Sequence, residues 1–109
     1  MRKINEYEIF IARKLYSCIG INVGIDCNQK VWVVNHEMGS IRADYCPINC
    51  PLYSIAVCET KDNDGIPVVV TLLINKDKKF GELDFWKVND EPIFDFTYVK
   101  NHINNISKI

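Results

Sequence analysis

The sequence is short of the features that announce chemistry. It has only two histidines, His36 and His102. It has no glycine-rich phosphate loop, since Gly20 and Gly24 stand alone and open no helix. No apolar run approaches the ~20 residues of a membrane span. Charge of one sign is also missing: 13 basic side chains face 14 acidic ones, for a net charge of −1. That balance argues against a nucleic-acid binder, which normally carries a basic patch. There is no linker, repeat or low-complexity segment, so a single domain over residues 1–109 is expected. Met1-Arg2-Lys3 could open an export signal, but Asn5, Glu6, Glu8 and then Arg13-Lys14 interrupt any apolar core for one. The expectation is a cytoplasmic protein.

Cysteine is the exception to this scarcity, with five in 109 residues. An odd count leaves one thiol outside any full disulfide set, and a cytosolic chain keeps its thiols reduced. Cys46-Pro-Ile-Asn-Cys50 could clip two thiolates to a metal, with Cys27, His36 and Cys58 as further donors. A structural zinc site wants two tight ligand pairs, and no second pair is present. Cys58 with His36 or His102 is the best available nucleophile and base, and nothing in their local sequence supports that chemistry. No cofactor and no catalytic residue is expected.

The patterning is mostly β. Residues 5–18 predict an amphipathic helix, with Ile4, Tyr7, Ile11, Leu15 and Cys18 on one face and Phe10 widening it. Asn5 is the expected N-cap, Glu8 completes a capping box, and Gly20 is the stop. Ile19, Ile21, Val23 and Ile25 alternate as a short strand would. Residues 31–34 and 40–45 form a predicted hairpin, with Ile41, Ala43 and Tyr45 on one face. Cys46 to Pro51 breaks the pattern. Strands are then expected at 53–60, 66–74, 80–88 and 93–99. The last segment, with Ile103, Ile106 and Ile109 three apart, predicts helical turns or a frayed tail. The sum is an α+β fold, with an N-terminal helix packed on a curved, mostly antiparallel sheet of five or six strands.

One strand carries the candidate surface. In Gly81-Glu82-Leu83-Asp84-Phe85-Trp86, alternation sends Leu83 and Phe85 one way and Glu82, Asp84 and Trp86 the other. With the first pair in the core, two carboxylates and an indole share the outer face. Residues 59–95 hold nine acidic and five basic side chains. An aromatic among carboxylates suits protein docking, the ring as anchor and the charges as steering. Asp62, Asp64, Asp90 and Glu91, on the adjacent turns, extend the candidate set. The same Glu82–Asp84 pair lacks the cleft that general acid–base work requires.

Five short motifs stand in order along the chain: Arg2-Lys3-Ile4, Gly39-Ser40-Ile41, Asp64-Gly65-Ile66-Pro67, Glu82-Leu83-Asp84-Phe85 and Pro92-Ile93. In their order and spacing, as far as Ile93, the chain resembles a group of small bacterial proteins. Some of these are immunity proteins beside contact-dependent growth-inhibition and other polymorphic toxins. The cysteines lie outside that pattern. The resemblance implies a non-enzymatic protein that binds the C-terminal domain of one cognate toxin and blocks it inside the producing cell. Such toxins are commonly nucleases, often ribonucleases, and an acidic strand face would fit a basic partner of that kind. Neither nucleic acid nor membrane is expected as a direct partner. The competing expectation is a small-ligand or metal-binding domain that uses the curved sheet and the cysteines.

Overall fold

The computed structural model describes residues 1–21 and 24–109. Its elements in order are β1 (Arg2–Lys3), α1 (Glu6–Ile19), β2 (Lys30–Asn35), β3 (Ser40–Ala43), β4 (Tyr53–Lys61), β5 (Pro67–Ile74), β6 (Phe80–Lys87), α2 (Phe96–Asn101) and β7 (Asn104–Lys108). The strands form one open sheet in the order β1-β2-β3-β6-β5-β4-β7, antiparallel at every pairing. The α+β architecture is as expected, with seven strands rather than five or six. The short terminal strands β1 and β7 are added, and the strand expected at 93–99 is not formed.

Helix α1 forms where its signals stand. Asn5 Oδ1 accepts from the Glu8 amide, and Glu8 Oε1 accepts from the Asn5 amide. Those two bonds satisfy orphan donors of the first turn. Arg2 adds a two-pronged grip on the fully buried Glu8 carboxylate, at 2.8 and 2.9 Å, and so ties the helix start to β1. Gly20 ends the helix in the left-handed region at φ 76°. The buried stripe is Ile11, Ala12, Leu15 and Tyr16. Phe10 and Cys18 lie outside it and are exposed. The stripe turns toward Ala12 and Tyr16 because α1 meets the sheet on that side.

The core lies between α1 and one face of the sheet. Val31, Ile41, Ala56, Cys58, Val68, Val70, Leu72, Leu83 and Phe85 supply the sheet side, each 0–1% exposed. Tyr7 of α1 stacks on Phe96 of α2 at 4.9 Å between ring centres, and both rings meet Phe85 edge-on. Both helices therefore cover the Phe85 face. Gly39 makes room for Phe96: its φ is +78°, and a Cβ there would lie 2.5 Å from the ring.

Four sequence expectations change. Residues 93–99 are not a strand. Asp95 caps α2 by accepting from the Tyr98 amide at 3.0 Å, so 96–101 is helical. The tail is not helical: Asn104–Lys108 pairs with β4. Tyr45 does not join Ile41 and Ala43 in the core. β3 ends at Ala43, and Tyr45 is 44% exposed with its hydroxyl donating to the Phe80 carbonyl. Ile19 belongs to α1 and Ile25 is buried outside any strand; Val23, part of that expected strand, lies outside the described residues.

Candidate protein-binding surface

The β6 alternation places its side chains as the pattern requires. Leu83 and Phe85 are buried beneath the helices, and Glu82, Asp84 and Trp86 emerge on the opposite face. Neighbouring strands extend that face in rows. Arg42, Glu82 and Leu73 lie abreast, then Asp84, Thr71 and Val57, then Trp86, Val69 and Glu59. The three sequence-derived residues do not have the same environment.

Glu82 is occluded. It is only 9% exposed, and its Oε1 accepts from Arg42 Nε at 2.6 Å. The 46–51 segment folds over this corner, where Trp32 Nε1 donates to the Cys46 carbonyl and Arg42 Nη1 donates to the Pro47 carbonyl. Glu82 is thus the internal counter-ion of Arg42. Asp84 is half-buried and accepts from the Ser40 hydroxyl at 3.0 Å. Trp86 is 45% exposed, and its indole N–H donates to Asp90 Oδ1 at 2.9 Å. Indole, Asp90 and Asp84 remain accessible together, beside the half-exposed Val57, Val69 and Thr71. Glu91 is exposed on the following turn, its amide donating to Asn89 Oδ1.

Asp62 and Asp64 serve a different purpose. Lys87 follows Leu83 and Phe85 on the core side of β6 and is fully buried. Its Nζ donates to Asp62 Oδ2 at 2.9 Å, Asp64 Oδ2 at 2.7 Å and the Pro92 carbonyl at 3.3 Å. The Phe94 ring lies 3.9 Å from the same nitrogen. Asp62 is fully buried too, and accepts the amides of Asn63, Phe94 and Asp95. Burial alone would raise the Asp62 carboxyl; the Phe94 amide, the Lys87 ammonium and the other amides outweigh it and hold it below its ordinary 3.8. Lys87 holds Asp64 below 3.8 as well. Burial pulls Lys87 down, and the two carboxylates more than reverse that, so it stands above its ordinary 10.5. The expectation that Asp62 meets a partner is corrected: it is sealed inside, where it pins the 62–65 turn to the chain leading into α2. The side chain of Asp64 is one-third exposed but bound to the same ammonium. The sequence carried a signal for this knot, because a lysine in core register on β6 demands a buried anion.

The cysteines do not converge on a site. Among the described residues, no group of three or more His, Cys, Asp or Glu is placed to hold a metal ion. Cys18 and Cys27 are exposed, Cys50 is half-buried, and Cys46 and Cys58 are buried. Burial pushes the Cys58 thiol up to about 12 and the Cys46 thiol up to about 11. A thiol so raised holds almost no thiolate near neutrality, which weighs against Cys58 as a nucleophile. Among the described residues, no helix is long and apolar enough to cross a membrane.

Comparison with known proteins adds a family without a role. No curated protein and no solved structure matches the chain. Residues 1–97 match the family described as "Domain of unknown function (DUF6984)", and the chain belongs to that family.

Proposed function

We propose that this member of DUF6984 is an immunity-type binding protein that neutralises a cognate toxin domain, a nuclease, by direct contact. The resemblance in its motifs supplies the partner class. One observation about the molecule carries the binding reading: Trp86 stands half-exposed on the sheet face away from the helices, beside Asp84 and Asp90. A large rigid ring on an open sheet face, flanked by two carboxylates, is how a protein surface combines anchor and steering. Neutral donors hold both carboxylates, so their charge stays available to a basic partner such as the phosphate-binding surface of a nuclease.

The test is capture from the native cell lysate at moderate salt, with the tagged chain as bait and the bound protein identified by mass. The expected result is one stoichiometric partner with a toxin-like C-terminal domain, released as salt is raised. Capture of no such partner, or of one whose binding does not respond to salt, would contradict the reading.

A further inference from the structure

At the corner of the same face nearest Trp86, four strands set a row of side chains abreast: Trp86, Val69, Glu59 and Asn104. Pro67 and Lys61 stand in the next row outward, with Val88 bonded to Pro67. Between these rows is a cleft of about 600 Å³, with Val69, Val88 and Pro67 as apolar floor and Glu59, Lys61 and His102 at its rim. Glu59 is exposed, and its Oε2 accepts from Asn105 Nδ2 at 2.9 Å. A neutral amide fixes that carboxylate without cancelling its charge. The Trp86 indole treats Asp90 in the same way, and the Ser40 hydroxyl treats Asp84 likewise.

Apart from Lys61, the lysines of this region are elsewhere or already used. Lys76, Lys78 and Lys79 lie in the β5–β6 turn at the opposite end of the hairpin, and Lys87 is buried in its knot. Among the described residues, none of Glu59, Asp84 and Asp90 is in an ion pair. Lys61 is the cation at the rim. The cleft therefore offers an apolar lining from Val69, Val88 and Pro67 and a fixed carboxylate at one end.

We propose that this cleft takes an arginine side chain presented by the partner protein, with its guanidinium on Glu59 and its stem across Val69 and Val88 beside Trp86. The proposal rests on the reading of this face as the binding surface and names the group it receives. A long cationic side chain matches an apolar floor ending in a carboxylate. Arginine matches better than lysine, because its planar fork meets a carboxylate through two bonds. Lys61 keeps the guest's head group on the Glu59 side.

The test needs no identified partner. N-acetyl-arginine amide is titrated into the isotopically labelled chain and followed by NMR. The signals to watch are the Trp86 indole N–H and the amides of Glu59, Val69 and Val88. The Trp32 indole, bonded to the Cys46 carbonyl beneath the 46–51 segment, is the internal control. Saturable shifts at the cleft are expected with the arginine probe, about fivefold weaker binding with N-acetyl-lysine amide, and none with the neutral citrulline analogue. Glu59→Gln should abolish the response and Lys61→Glu should tighten it. Absence of cleft shifts, equal shifts from citrulline, or a response that survives Glu59→Gln would overturn the assignment. Partner capture that is lost in Trp86→Ala but unchanged in Glu59→Gln would overturn the arginine site while leaving the docking face standing.

Discussion

Two acidic clusters sit within thirty residues of each other and have opposite fates. Asp62 and Asp64 enclose a buried ammonium, and Asp62 has no exposed surface. Among the described residues, the carboxylates of Asp84 and Asp90 accept side-chain hydrogen bonds only from a hydroxyl and an indole. The same residue type is framework in one cluster and available charge in the other. What separates them is the parity of one lysine. Lys87 points to the core side of β6 and must draw anions inward, whereas Trp86, its neighbour, points outward and leaves the anions beside it free. A carboxylate count over residues 59–95 therefore overstates the acidity that a partner would meet.

The largest difference should appear in stability. Asp62→Ala removes the buried counter-ion of Lys87 and the acceptor of three amides, and should cost about 3–5 kcal/mol in urea denaturation. Asp90→Asn, which suits the left-handed backbone of that exposed turn (φ 62°), should stay within about 0.5 kcal/mol. Equal costs would dissolve the distinction between the clusters.

The pH dependence sharpens the same comparison. Folded-state values of Asp62 and Asp64 lie below 3.8, so their contribution is complete above that pH and is lost as pH falls through the lowered values. Lys87 lies above 10.5 when folded, so its contribution is complete below that pH and is lost as pH rises through the raised value. The cluster predicts a flat melting temperature across the neutral range, with a fall on the acid side below 3.8 and on the alkaline side above 10.5. Asp62→Ala should flatten the acid limb.

How much of this was visible in the chain depends on how local each cause is. The Asn5–Glu8 capping box and the β6 alternation act within a few residues, and both are in the structure where the pattern puts them. The Asp62–Lys87 contact spans 25 residues and needed the β4–β5–β6 pairing to become visible. Ile103, just before β7, and Ile106, within it, have a three-residue spacing that imitates a helix. The cause is an irregularity in the β4–β7 register, with Asn105 at a φ of 50°. An extra residue there lets two isoleucines three apart pack on the same side. At 93–99, strand-like alternation competed with a single capping aspartate and lost. Asp95→Ala should show that cap as the smallest effect, about 1 kcal/mol, read by the same urea titration.

The central claim is that the working surface is the outward cluster and not the inward one. The most direct measurement is partner capture by the double variant Trp86→Ala with Asp84→Lys, run beside its thermal melt. Truncating a central interface aromatic commonly costs ~2 kcal/mol or more, roughly 30-fold in affinity. The prediction is lost capture from a chain that still melts cooperatively near the parent temperature. Full capture by that variant would show that the partner binds elsewhere on the molecule.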